Sequence, residues 1–167
     1  MGTRDQTARG EGMSEGMSEG MSFTHPAILE TKLALGETTL IADPSQIFDL
    51  CRHLKDNEKF VRLTSITAVD WHPAEPRFEV VYHLHSIDPI RRVRLKCRLS
   101  GQNPEIDSVY SVWRAADWYE REMFDLFGIG FRNHPNLVRI LMPLDWEGHP
   151  LRKDYPVHGY KYGYAKE

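Results

Sequence analysis

From Phe78 to Leu99 apolar and polar positions alternate. Phe78, Val80, Tyr82 and Leu84 are set against Glu79, Val81, His83 and His85; Val93, Leu95, Cys97 and Leu99 are set against Arg92, Arg94, Lys96 and Arg98. A period of two predicts strands with one buried face, and the turn around Asp88-Pro89 joins them as a hairpin whose outer face is strongly basic along its second strand. Phe60 to Trp71 is β-rich but apolar on both faces, with Val61, Leu63 and Val69 against Ile66 and Ala68, as in a central strand covered on one side and partly on the other. Asp43 caps a helix that has Pro44 at its first position and runs to about Asp56, with Ile47, Leu50, Cys51 and Leu54 along one face. Ahead of it, His25-Pro26 opens a helix through Leu35, Gly36 stops it, and Thr38 to Ala42 is a short strand.

Beyond the hairpin, Asn103-Pro104 breaks the chain and Ile106 to Val112 reads as a strand or irregular edge. Arg114 to Phe127 reads as a helix ended by Gly128, with Ala116, Tyr119, Met123 and Phe127 at helical spacing. Asp117–Arg121 and Arg121–Asp125 fall four residues apart, as helical ion pairs contributing about 0.2–0.5 kcal/mol each. The expectation is an α+β fold over residues 23–127: helices on one face of a mostly antiparallel sheet.

Two segments flank this domain. Residues 1–22 hold five of the twelve glycines, no aromatic residue and three Glu-Gly-Met-Ser repeats, a composition expected of a disordered leader. Met13, Met17 and Met21 are alternative starts within it. Residues 128–167 carry Pro135, Pro143, Pro150 and Pro156 too closely spaced for a regular helix. Yet Phe131, Leu137, Ile140, Leu141, Met142, Trp146, Leu151, Tyr155, Tyr160, Tyr162 and Tyr164 make this tail too apolar to stay free. Ordering it costs about 1–2 kcal/mol per residue, so it must bind something, and an obligate interface with other chains is the expected source.

Composition narrows the function classes. A chain of 167 residues that is 41% hydrophobic supports one domain with appendages. A formal charge of -3 gives no global attraction to nucleic acid or an anionic membrane. Cys51 and Cys97 are the only cysteines, too few for a four-thiolate cluster or a disulfide framework, and no apolar run is long enough to span a bilayer. GxGxxG, the P-loop, GxSxG and HExxH are all absent.

Three groups of residues raise candidate chemistry, and each has a plainer explanation. His83 and His85, with Glu79, share a strand face and present metal-ligand types, but the adjacent Arg94 and Arg98 oppose a cation. Glu120, Glu122 and Asp125 lie within two helical turns, as an acid and base would, but Arg121 and nearby aromatics favour ion pairs at a packed surface. Arg92, Arg94, Lys96 and Arg98 alternate as cations tracking a phosphate backbone do, yet no aromatic stacking pair shares their face.

More specific are two long motifs. From Asp117 the chain reads Asp-Trp-Tyr-Glu120-Arg121-Glu122-Met-Phe-Asp125-Leu-Phe-Gly128-Ile-Gly-Phe131, then His134-Pro135-Asn-Leu-Val-Arg139-Ile-Leu-Met-Pro143. It continues Asp145-Trp146-Glu147-Gly148-His149-Pro150-Leu-Arg152-Lys153-Asp154-Tyr155-Pro156. From about Phe23 to Pro156 the sequence closely resembles the C-subunit (thirty-kilodalton) family of respiratory NADH:quinone oxidoreductase, complex I, and Leu63 to Pro73 is similar to that family's central strand. Val138 departs, standing where the family usually has a basic residue or proline.

The resemblance implies a structural subunit in the peripheral arm of a proton-translocating complex, with no catalytic, metal-binding or cofactor-binding residue of its own. FMN, the iron–sulfur clusters and quinone would sit in partner subunits: a hydrogenase-like quinone-site subunit of D type and cluster-bearing subunits of B and I type. The membrane would be met only through the complex, on the cytoplasmic face of a bacterial plasma membrane. Glu120, Arg121, Glu122 and Asp125 would anchor the helix to the tail and the partner. Arg139, Asp145, Glu147, His149, Arg152, Lys153 and Asp154 would make charged contacts, with His134, Trp146 and Tyr155 as further structural or partner-binding positions. The chain stops soon after Tyr155-Pro156, as expected of a separate subunit not fused to the hydrogenase-like partner. Sister assemblies of ferredoxin:plastoquinone, reduced-deazaflavin or membrane-bound hydrogenase type carry related subunits, and a free-standing nucleic-acid-binding domain is the distant alternative.

Overall fold

A computed structural model of the chain describes residues 21–157. The repeats before Met21 and the three tyrosines Tyr160, Tyr162 and Tyr164 lie outside the described residues. The fold is α+β. A five-stranded sheet is ordered β1(Ile28–Ala34), β2(Glu37–Ala42), β5(Arg91–Leu99), β4(Phe78–Ser86), β3(Arg62–Asp70), antiparallel except for β2 beside β5. A short parallel pair, β6(Glu105–Asp107) and β7(Gly130–Arg132), lies apart from it. The helices are α1(Ile47–Asp56) and α2(Ala116–Phe127).

The β4–β5 hairpin forms as its alternation predicts, with Val80 opposite Cys97 and Tyr82 opposite Leu95 on the buried face. Ile47, Leu50, Cys51 and Leu54 of α1 and Ala116, Met123 and Phe127 of α2 join the same core, against Phe60, Tyr82 and Leu95. In β3 the two-sided apolar pattern has a local cause. Register shifts between Leu63 and Ser65, and the extra residue brings Leu63, Ile66 and Ala68 to one buried face. Met21 and Phe23 pack against the core at the start of the described chain.

Four expectations need correction. Ile28 to Ala34 is a strand, not a helix: apolar residues four apart, Leu29 and Leu33, fit a period of two as well as 3.6. The deciding element is the turn, where Leu35 and Gly36 both take positive φ, 52° and 75°, and close a hairpin with β2. Pro44–Gln46 is a 3-10 turn, capped by Asp43 accepting from Ser45 N at 2.8 Å, before α1 begins. The edge expected over Ile106 to Val112 shrinks to three residues, because the buried Val109 starts a turn to Trp113 instead of continuing the ladder. Neither of the expected ion pairs along α2 forms, since Arg121 and Asp125 are both engaged by the tail.

Candidate assembly surface

The α2 helix ends where its four last carbonyls need partners, and the tail supplies them. Gly128 takes φ 70° and its N–H closes on Phe124 O, so the chain turns sharply away. The tail then comes back over that end. His149 Nδ1 lies 2.9 Å from Asp125 O, Leu151 N donates to Leu126 O at 3.1 Å, and Arg152 donates to Phe127 O at 2.5 Å and Gly128 O at 3.3 Å. Because a carbonyl only accepts, His149 Nδ1 carries the proton, and burial lowers the ring's pKa towards this neutral form. Arg152 adds a cation at the negative end of the helix. A Cβ on Gly128 would sit 2.5 Å from both His149 and Arg152, so the approach also requires glycine.

Asp125 is the second fastening. Its side chain is wholly buried, with Oδ2 accepting from Ile140 N, Leu141 N and Met142 N at 3.1, 2.8 and 2.9 Å and Oδ1 from Arg139 at 3.0 Å. Burial alone would raise its pKa, but the three amides and the guanidinium outweigh it and hold the carboxyl below its ordinary value. Arg139 also donates to Gly148 O at 3.0 Å, tying two parts of the tail together.

A third fastening is far along the chain. Arg77 meets Asp70 at 2.8 and 2.7 Å and Asp154 at 2.9 and 2.6 Å, one guanidinium serving two carboxylates with two bonds each. Asp70 additionally accepts from Lys153 N at 2.8 Å and His72 N at 2.9 Å, and the Arg77 fork, opposed by burial, holds its carboxyl well below the usual range. Neither Asp70 nor Arg77 carries any local sequence signal, since their partner lies 77 residues from Arg77.

Glu120 faces inward instead. Fully buried, it accepts from Val109 N at 2.7 Å and bonds Ser108 Oγ at 2.5 Å, and burial, partly offset by these bonds, pushes its pKa up to about 7. His134 Nδ1 accepts from Asn136 N, so Nε2 bears the proton, 3.3 Å from Asp117 and 3.9 Å from Glu120; burial lowers the ring's pKa. Glu120 therefore fastens α2 to the loop before it, while His134 Nε2 is buried beside Asp117 without a hydrogen bond.

These fastenings use polar groups, and while Leu137 and Met142 pack against the core, other apolar side chains stay outside. Trp118 is 63% exposed and Leu144 85%, with Val138, Leu141, Leu151 and Val157 also exposed. Arg121 bridges two of them: its guanidinium lies over the Trp118 ring at 5.2 Å and Nε donates to Val138 O at 3.1 Å. Only the backbone of Val138 is used there, so its departure from the family's side-chain pattern removes nothing from this contact. Glu122 has no side-chain partner among the described residues, Lys153 and Glu147 are held through backbone atoms, and Asp145 is exposed. Tyr155 donates to Glu147 O at 3.2 Å, and Trp146 is half-buried. Several large apolar side chains left exposed along an ordered segment are the kind of surface a partner covers.

The chemistry weighed for the sheet face has other partners here. Glu79 is taken by Lys96 at 2.9 Å and Arg98 at 3.1 Å, and among the described residues no three His, Cys, Asp or Glu side chains are placed to hold a metal. No helix among them is long and apolar enough to cross a membrane.

The motifs of α2 and the tail lie inside a family match. The model of the respiratory-chain NADH dehydrogenase 30 Kd subunit matches residues 40–161. The chain belongs to this family. It is 49% identical over 133 residues to the C-type subunit of the NADH-quinone oxidoreductase of Citrifermentans bemidjiense, covering 80% of this chain and 83% of that one. Its fold is similar to a trypsin-resistant fragment of Nqo5, with TM-score 0.59 and 29% identity over 63% of this chain and 86% of that one. It is also similar to a chain of the membrane-bound sulfane sulfur reductase, an archaeal respiratory membrane complex, with TM-score 0.69 and 28% identity over 79% of each. The thirty-kilodalton family match thus spans the sheet from β2 onward, both helices and the fastened tail.

Proposed function

We propose that this chain is a structural subunit in the peripheral arm of a proton-translocating NADH:quinone oxidoreductase, fixing the relative positions of the quinone-site and cluster-bearing subunits. The observation that carries this reading is the tail: fastened to its own domain at the α2 C-terminus, at Asp125 and at Arg77, it keeps Trp118, Leu141, Leu144 and Leu151 exposed in a defined arrangement. A pre-ordered apolar surface loses less entropy on association than a free tail would, which suits a permanent interface. FMN, iron–sulfur clusters and quinone belong to the partners on this reading, and electrons pass through them. The chain's contribution is geometric, and its membrane association, on the cytoplasmic face, is indirect.

A second reading has a specific observation behind it. The likeness to the sulfane sulfur reductase complex shows this fold in a respiratory assembly of another name, so the same scaffold role in a sister complex with a different electron donor stays in view. The relatives' naming as NADH-quinone oxidoreductase favours the first reading.

The test is a Trp118→Ala, Leu151→Ala double variant in the native host. The amount of assembled complex should fall while turnover per assembled complex stays near wild type. Full assembly with slow turnover would overturn the scaffold role.

A further inference from the structure

One end of the sheet carries charge that the fold does not use. Arg62 of β3 is paired with His85 of β4, and His85 with Arg92 of β5. Side chains directly opposed across ladders share a face and lie about 5 Å apart, so Arg62, His85 and Arg92 form a row across three strands with no carboxylate in it. Elsewhere on this face the cations are satisfied. Lys96 and Arg98 share Glu79, and Arg94 pairs with Glu37. Arg94 Nε also donates to His83 Nε2 at 3.3 Å, so His83 carries its proton on Nδ1 and donates it to Ser65 Oγ at 3.0 Å. Arg62 and Arg92 have no ion-pair partner among the described residues, and His85 Nε2 is buried without a hydrogen bond.

These residues line a cavity of about 470 Å³. Its three arginines stand against the single carboxylate of Glu37. The chain neighbours of the row are exposed and apolar: Val61 before Arg62, and Ile87 and Ile90 in the turn between His85 and Arg92, the last 79% exposed. Two arginines on one face, one strand apart and without an ion-pair partner, are an unmet demand for anions, which a ligand bringing carboxylates would satisfy. These exposed neighbours are aliphatic and offer no stacking ring, which disfavours nucleic acid, whose bases need stacking partners.

We infer that this end of the sheet is a second docking surface, taking an acidic segment of a neighbouring protein subunit whose carboxylates meet Arg62 and Arg92 and whose apolar side chains meet Ile87 and Ile90. The inference rests on the proposal that the chain works inside an assembly, and it is built from different residues than the Trp118 surface. Arginine forks bind carboxylates with two parallel bonds, so lysine is an imperfect substitute.

The experiment places the photo-crosslinker p-benzoylphenylalanine at position 90, or separately at position 118, of the tagged full chain in its native host, and sequences the crosslinked peptides. Position 90 should join one segment of a neighbouring subunit that is rich in Asp and Glu. Arg62→Glu with Arg92→Glu should reduce that adduct by about tenfold or more, and Arg62→Lys with Arg92→Lys should restore part of it. Adducts from position 118 with none from position 90 overturn this inference alone, whereas none from either also overturns the proposed scaffold role. Adducts from position 90 to a basic or wholly apolar segment, to nucleic acid or to lipid overturn the acidic-segment assignment.

Discussion

Replacing Asp125 by alanine removes the acceptor for three consecutive tail amides and for Arg139 at once. Hydrogen bonds to a charged group contribute roughly 1.5–3 kcal/mol each, but bonds sharing one carboxylate do not add. Breaking a buried ion pair by deleting one partner costs about 3–5 kcal/mol, and Asp125 is wholly buried, so that range applies here. The loss falls on the tail, because α2 keeps its own ladder and its core residues Ala116, Met123 and Phe127. Hydrogen exchange read by mass spectrometry should show the peptide spanning Ile140 to Met142 exchanging about two to four powers of ten faster, at 1.36 kcal/mol per decade. Peptides from β4 and β5 should be unchanged. Acid should do the same to the wild type: the folded carboxyl titrates below its unfolded value, so its contribution is present above the ordinary carboxylate pKa and is lost as pH falls through the folded one. Exchange at 140–142 that rises less than about threefold in the variant would refute the idea that Asp125 fastens the tail.

Glu120 behaves in the opposite sense. Its folded pKa of about 7 lies above the unfolded value, so its share of stability is greatest at low pH and is lost as pH rises from the unfolded value through the folded one. Glu120→Gln should flatten the dependence of denaturant midpoint on pH between about 4.5 and 7, and an unchanged slope would contradict the assignment. Arg77→Lys cannot serve two carboxylates with paired bonds. It should lower unfolding free energy in urea by about 2–4 kcal/mol and speed proteolysis near Lys153, less than a fully buried pair because Asp154 is half exposed. Gly128→Ala meets both a left-handed φ and the His149 ring, and should loosen the tail by more than the roughly 1 kcal/mol that a left-handed alanine costs by itself; exchange at Leu151 reads it. Arg121→Ala should leave folding intact, as its bonds are exposed, and should reduce the amount of assembled complex more than turnover per complex.

The elements with strict periods were legible in the sequence. The β4–β5 hairpin, the apolar stripe of α1 and the Gly128 stop of α2 each follow from spacing alone. The first strand was not, because Leu29 and Leu33 satisfy both periods and the choice was made by the Leu35-Gly36 turn and by pairing with β2. Asp125, Arg139, His149 and Arg152 were singled out through the family motif, and geometry adds what no motif states: they hold the tail to α2. The pairs expected within α2 gave way because an exposed helical ion pair is weak beside a cluster of tail amides around one buried carboxylate. Arg77 and Asp70 went unmarked since the side chains that give them meaning meet only after folding.

The most direct test of the central claim is gentle detergent extraction of native membranes through a tag on this chain, with co-purifying proteins identified by mass spectrometry and NADH:quinone activity assayed. Recovery with flavin-bearing, cluster-bearing and membrane subunits, together with that activity, is the predicted result. The same core without NADH oxidation would assign the scaffold to a sister complex, and a lone soluble protein without such partners would contradict the account.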